Sequence, residues 1–256
     1  MPPTLAGAAP DRACGAVLAI ALYGARCAAP QAIALAQAIA GTGLAGDRHA
    51  DAASPRQLLL AGAPAYARHG LPAHALGENL LLDIDTAALR SGSLLRIGAH
   101  ALLSLSFQCE PCGQLDRHQP GLARRIGAQR GMLARVVQGG AIAVGDTVLT
   151  LTPTAAVPAA PAWSDDWRDR VARVLRAVPD GMVIEYGQLA RVAGVQSAYC
   201  RAFPRLARTL GLAHKAVGAR GDGAAMRWDG GTLWQQPSLA PRKPLILPPS
   251  PPSDAP

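Results

Sequence analysis

A mostly β barrel or sandwich followed by a small α-rich domain is the fold class that three features of this sequence predict. Short apolar runs separated by glycine recur over residues 1–151, a Pro/Ala segment occupies residues 152–162, and helical periodicity begins after it.

The runs justify the barrel or sandwich one by one. Gly15 to Leu22 reads as the first strand, and Leu58–Leu60, Leu80–Asp83, Leu94–Ile97, Ala101–Phe107, Met132–Val137 and Val148–Leu151 as its successors. Breaks fall at Gly77, Gly92, Gly98, Gly139-Gly140 and Gly145, the spacing of an all-β unit with tight turns. One helix is expected over Gly62–His69. The segment Thr-Pro-Thr-Ala-Ala-Val-Pro-Ala-Ala-Pro-Ala at 152–162 is a semi-rigid linker that cannot form a core.

A second domain is expected over residues 163–236. Trp167, Val171, Val174, Leu175 and Val178 fall at i, i+4, i+7, i+8 and i+11, one face of an amphipathic helix. Ser164 suits its N-cap, with Asp165 and Asp166 in the first turn, and Pro179-Asp180-Gly181 stops it. Met182–Glu185 reads as a strand, and Gln188–Ala193 as a helix ended by Gly194. A third helix is expected from Ser197 to Leu210. Tyr199, Phe203, Leu206 and Leu210 share one face, and Arg201, Arg205 and Arg208 repeat on the opposite one. Pro204 removes an intrahelical bond there and should kink or shorten the helix. The three arginines, with no acid between them, read either as a phosphate-facing stripe or as a solvated face. Residues 237–256 are Pro-rich and expected to be a disordered tail.

Composition narrows the functional classes. Half of the 256 residues are hydrophobic, so a core is affordable. The apolar stretch Ala16–Tyr23 is too short to span a bilayer, and no Lys/Arg-rich start or cleavage pattern marks a secretory signal. Five scattered cysteines do not make a disulfide framework. The expectation is a cytoplasmic protein with no membrane partner. Net charge is +8; residues 1–155 carry 12 Lys/Arg against 9 Asp/Glu, and residues 156–256 carry 13 against 8. The shorter part is the more basic, which favours polyanions such as nucleic acid, although codon bias toward arginine gives the same balance.

Cys109-x-x-Cys112 is the main chemical motif of the first part. It reads as a redox pair or half a zinc site, yet no second Cys pair exists and His118, the nearest histidine, lacks zinc spacing. Cys112 lies among Gly, Pro and polar neighbours, which suits a reactive thiol better than a buried hydrophobe. His49, His69, His74 and His100 show no ligand spacing and read as surface or loop residues. Asp47 and Arg48 read either as an ion pair fixing the Gly43–Gly46 turn or as functional residues.

The segment from Gly43 to Asp146 carries motifs in a recognisable order: Gly43-Leu-Ala-Gly-Asp-Arg-His49, Ser54-Pro-Arg-Gln57, Leu76-Gly-Glu-Asn-Leu80, Cys109-Glu-Pro-Cys-Gly-Gln-Leu-Asp116, Arg130-Gly-Met-Leu-Ala-Arg-Val136, Gly139-Gly140 and Val144-Gly-Asp146. It resembles the MOSC domain family. The resemblance implies a largely closed β-barrel of α+β type, with Cys112 as the reactive cysteine and ligand of a molybdenum ion held in a pterin-type molybdenum cofactor. Arg56, Arg130 and Arg135 then suit an anionic cofactor, and Glu78 and Asn79 either line the pocket or hold a loop. The implied activity is reduction of N-hydroxylated compounds, including N-hydroxylated bases, with electrons from a separate reductase. Sulfur-carrier chemistry through a Cys112 persulfide is the alternative. Pyridoxal phosphate has been suggested within the wider family, but residues 1–155 contain no lysine to form a Schiff base.

Val174-Leu-Arg-Ala-Val-Pro-Asp-Gly-Met-Val-Ile-Glu-Tyr-Gly-Gln-Leu-Ala190 is similar to the winged-helix DNA-binding domain of the alkylguanine-DNA alkyltransferases and alkyltransferase-like proteins. The resemblance implies that Tyr186 and Arg201 help rotate a damaged guanine out of the duplex. Arg205, Arg208 and His214 complete the expected DNA-binding set. The family's Pro-Cys-His-Arg motif is Leu212-Ala213-His214-Lys215 here. Ala213 stands in place of the acceptor cysteine, so no alkyl transfer is expected. The second domain is then either a binder of DNA lesions or a degenerate winged helix kept for non-specific DNA or protein contact, and a non-enzymatic lesion-binding protein is the alternative reading of the whole chain.

Overall fold

The structure is a computed structural model, and it describes residues 11–25, 29–152, 161–219, 221 and 225–234. Cys27, most of the Pro/Ala linker and the Pro-rich tail lie outside the described residues. The strands are β1 (Arg12–Leu22), β2 (Gln31–Ile33), β3 (Leu35–Ile39), β4 (Gly43–Leu44), β5 (Leu58–Gly62), β6 (Leu80–Leu82), β7 (Leu94–Ile97), β8 (Ala101–Gln108), β9 (Met132–Gln138), β10 (Gly140–Ala143), β11 (Thr147–Leu151), β12 (Met182–Glu185), β13 (Ala216–Val217) and β14 (Met226–Arg227). The helices are α1 (Ala63–His69), α2 (Leu122–Arg125), α3 (Trp167–Ala177), α4 (Tyr186–Val192) and α5 (Phe203–Thr209).

Seven strands close a barrel in the order β11-β7-β8-β9-β5-β6-β1, sealed by the β1–β11 pairing from Arg12↔Thr150 to Ala16↔Thr147. Closure decides between barrel and sandwich, and it removes the sheet edges. The β5–β6 pair is parallel, with α1 in the crossover between them. Ile20, Leu58, Leu60, Leu82, Leu103, Leu105 and Val136 fill the interior. A small sheet, β10-β3-β4, lies beside the barrel. The sequence reading missed β2, β3, β4 and β10, because their Ala- and Gly-rich runs lack a strong apolar alternation.

All of β5 is buried, and the reason is that both of its faces are covered. Leu58 and Leu60 face the barrel interior, Leu59 joins the core of the C-terminal unit, and Ala61 packs with Leu76, Leu115 and Leu122. A bulge in β8 positions the candidate site. Leu105 pairs with Ala134 and Gln108 with Met132, so one extra residue sits on β8. Alternation from Leu103 and Leu105 would send Phe107 inward, but the bulge turns it out to join Leu59, Leu133 and Cys109.

The C-terminal unit is helix, strand, helix, a 3-10 stretch, helix and short strands, with β12 pairing in parallel to β13 and β14. The expected first helix is present, but Asp166 caps it, accepting from the Arg168 amide, and Ser164 Oγ instead accepts from the Asp166 amide. The third helix differs more. Ser197–Ala202 is a 3-10 stretch, and α5 starts at Phe203 with Pro204 in its first turn, the place where a missing N–H costs nothing. The two units share one apolar cluster, in which Leu59, Phe107, Cys109 and Leu133 meet Trp163, Val171, Leu175, Ala193 and Phe203. Among the described residues no helix is long and apolar enough to cross a membrane.

Candidate functional site

A cavity of about 110 Å³ lies against β5 and β9, lined by His49, Arg56, Leu58, Leu59, Gly77, Asn79, Cys109, Arg130 and Leu133. Each of the five motif segments that begin at Gly43, Ser54, Leu76, Cys109 and Arg130 contributes to it. β5 and β9 supply the apolar floor, and the loops beyond them supply the polar rim.

Cys109, not Cys112, faces this cavity. The bulge in β8 brings its amide to the Gly131 carbonyl at 2.8 Å, and Arg56 Nη2 lies 3.6 Å from its sulfur. Cys112 sits at the start of the 3-10 turn Gly113–Arg117, half-buried, and its thiol has no partner among the described residues. Arg130 donates through Nη1 to the Leu76 carbonyl, while its Nε is buried with no hydrogen-bond partner. Arg135 is not in the cavity. It donates to the carbonyls of Ala52, Ser54 and Gly41, and its guanidinium lies 4.4 Å from the ring of Trp234. Burial lowers its pKa to about 10.

Glu78 and Asn79 hold the loop from behind. Asn79 Oδ1 accepts from the Leu59 amide at 3.1 Å, and its Nδ2 donates to the Ala21 carbonyl and to Asp47. The Glu78 carboxylate accepts from Tyr66 Oη at 2.6 Å and stands 3.6 Å from His74 Nδ1. Burial raises its pKa despite that hydrogen bond. Burial, together with the Glu78 charge, also pushes the Tyr66 hydroxyl up.

Asp47 does not pair with Arg48. Its carboxylate is fully buried and accepts from the Tyr23 and His49 amides, from Asn79, and from His49 Nδ1 at 2.8 Å. Burial raises its pKa, but the hydrogen bonds from His49 and Tyr23 outweigh burial and hold the carboxyl below its usual range. Arg48 instead donates to His49 Nε2 at 3.2 Å and lies over the Tyr23 ring. With Nε2 accepting, the proton of a neutral His49 is on Nδ1. His49 is thus a cavity residue, not an idle loop histidine. Sequence spacing missed it because its partner lies only two residues away and the cavity is assembled from distant segments.

The DNA-binding candidates lie together on the C-terminal unit. Arg205 and Arg208 are exposed on α5, Arg201 is exposed on the 3-10 stretch, and none of the three guanidinium groups has a hydrogen-bonding or ionic partner among the described residues. Tyr186 begins α4, half-buried, with its ring edge toward Phe203. Ala213 and His214 are exposed in a 3-10 turn, whereas Lys215 is tied to the Val178 carbonyl at 2.7 Å and to Asp180. Among the described residues no three His, Cys, Asp or Glu side chains converge as a metal site.

Fold and cavity define a class: a closed seven-stranded barrel with a cavity lined by one thiol, two guanidinium groups and an Asp-supported imidazole. Residues 51–149 match the family model of the MOSC domain. No curated protein matches the chain. Among solved structures, the YuaD protein from Bacillus subtilis is 17% identical with a TM-score of 0.48, covering 57% of this chain and 100% of that one. YiiM from Escherichia coli is 19% identical with a TM-score of 0.43, covering 77% and 94%. YiiM from Geobacillus stearothermophilus is 16% identical with a TM-score of 0.42, covering 77% and 99%.

Proposed function

We propose that the barrel binds a molybdenum cofactor at this cavity and reduces N-hydroxylated compounds. The carrying observation is that five separated motif segments deliver Cys109, Arg56, Arg130, His49 and Asn79 to one place. The donor set fits the metal end of such a cofactor. A thiolate is a soft ligand, and the buried, unpartnered Arg130 Nε is a donor waiting for an anion. A drug-sized ligand takes about 300 Å³ or more, so a cavity of about 110 Å³ would hold only part of such a cofactor. Bound there, molybdenum would supply two-electron oxygen-atom exchange, with electrons from a separate reductase. The chain's own part is to offer the thiolate, place cationic donors around the anion, and hold a proton on His49 Nδ1 against Asp47.

Two cysteines compete for the ligand role, Cys109 by its place in the cavity and Cys112 by its position in the motif. The test is molybdenum content of protein made in a host that loads another molybdoenzyme, with wild type beside Cys109→Ser and Cys112→Ser. Near-stoichiometric metal lost in one variant supports the reading and names the ligand. Metal absent from all three overturns it and leaves sulfur transfer by a cysteine persulfide as the alternative.

A second reading concerns the C-terminal unit, and the three unpaired exposed arginines favour it. We propose that it binds DNA without alkyl transfer, since Ala213 has no nucleophilic atom. Gel-shift measurements on plain and alkylguanine-containing duplexes test it. No binding to either would remove the reading.

A further inference from the structure

The polar contacts from the C-terminal unit fall mainly on Asp51–Arg56 and Phe107–Glu110, the two stretches that supply Arg56 and Cys109 to the cavity. Glu110, next to Cys109, accepts from Arg56 Nη1 at 3.0 Å with one oxygen and from Arg170 Nη2 with the other. Arg170 lies on α3, and its side chain is fully buried. Its remaining donors go to the carbonyls of Ala193, Ser164 and Asp165, and its guanidinium lies 3.8 Å from the Phe107 ring centre. A buried guanidinium is costly without a carboxylate, and the carboxylate comes from the barrel.

Gly194 makes the second contact. Its carbonyl accepts from Arg56 Nη1 at 3.1 Å. Its φ is +63°, and a Cβ there would stand 2.6 Å from Pro55 Cγ and 2.7 Å from Phe107 Cζ. The turn after α4 therefore lies flush on the barrel. With Nη1 held by Glu110 and Gly194, Arg56 is left with Nη2 directed at the Cys109 sulfur.

We infer that the C-terminal unit is part of the cavity's scaffold, with Arg170 and Gly194 as positioning residues for Arg56 and the Cys109 turn. Neither touches the cavity. They act through Glu110 and Arg56, so the cavity is the joint product of both units. The inference rests on the proposed cavity for its meaning, but its test reads the shape of the turn and not turnover.

The experiment uses the full chain in a Cys112→Ser background. The rate at which iodoacetamide modifies Cys109 is followed by peptide mass spectrometry at one pH. Fluorescence of the stacked Trp163–Trp234 pair and thermal melting run alongside. Arg170→Met and Gly194→Ala are expected to speed modification by roughly tenfold through local opening, with Arg170→Lys restoring part of the protection. Lys215→Met, which breaks contacts internal to the C-terminal unit, is expected to lower the melting temperature without that acceleration. Unchanged modification in Gly194→Ala overturns the inference, as does equal acceleration in Lys215→Met. If Arg170→Met does not fold, Gly194→Ala and Glu110→Gln decide it. All variants are made in a host that produces no molybdenum cofactor, so metal ligation of Cys109 does not enter this readout.

Discussion

Asn79 Nδ2 donates to Asp47 Oδ2 at 2.8 Å, a buried bond that joins the Gly43–His49 segment to the Leu76–Leu80 segment. Both residues are buried, and every polar atom of the Asn79 side chain has a partner. Asn79→Ala would orphan the Leu59 amide, the Ala21 carbonyl and one Asp47 contact together. A buried group left unpaired costs about 1–3 kcal/mol. The expected loss is about 3 kcal/mol, or roughly 6–12 °C in Tm for a chain of this size. A calorimetric scan showing no change would mean that Asn79 is held for a ligand and not for the fold.

Two buried carboxyls should give opposite pH signatures. Asp47 titrates below its unfolded value, so its contribution is fully present above the ordinary carboxylate range and is lost as pH falls through its folded pKa. Glu78 titrates above its unfolded value, so its ionisation costs stability at neutral pH, and acidification relieves that cost. Glu78→Gln should therefore raise Tm near pH 8 and change it little near pH 4. Asp47→Asn should lower Tm near pH 8, with the deficit shrinking in acid. Parallel Tm curves for wild type and both variants would refute the assignment.

Gly131 separates Arg130 from β9 with φ +115°, and a Cβ there would strike the Leu60 carbonyl oxygen on β5. The same residue's carbonyl holds the Cys109 amide. Gly131→Ala should cost more than 1 kcal/mol in backbone strain and shift both cavity residues. Urea unfolding would show the lower midpoint, and molybdenum content should fall with it. A variant of wild-type stability would mean that β5 can yield at that point.

The strands were legible in the sequence because Leu58, Leu80, Leu95, Leu103 and Val148 mark runs whose inward faces must be apolar, whereas these runs alone fit a barrel or a sandwich and the β1–β11 pairing makes the barrel. The motif segments marked the cavity, but not which side chain enters it. The bulge between Leu105 and Gln108 turns Cys109 toward the cavity, and a bulge leaves no trace in local spacing. Arg170 was invisible for a related reason. On an amphipathic helix it reads as solvated, and only the distant Glu110 makes its burial tolerable. Arg135 looked like a cofactor ligand but spends its donors on backbone carbonyls, which no side-chain pattern announces.

The arginines of the C-terminal unit separate a polyanion surface from a solvated face. Pro204 splits the expected helix, so Arg205 and Arg208 lie one turn apart on α5 and Arg201 precedes them on tighter backbone. If they contact phosphates, log K for duplex DNA should fall steeply with log salt, and each Arg→Ala change should reduce the slope by about one. Arg205→Ala with Arg208→Ala should remove about two units of slope at little cost in Tm, since both side chains are exposed and unpaired. Arg201→Ala should also narrow any preference for alkylated guanine if that side chain fills the space of an extruded base. A full-length protein whose binding keeps its salt slope after all three changes carries its DNA contact elsewhere, and the stripe is then an ordinary solvated surface.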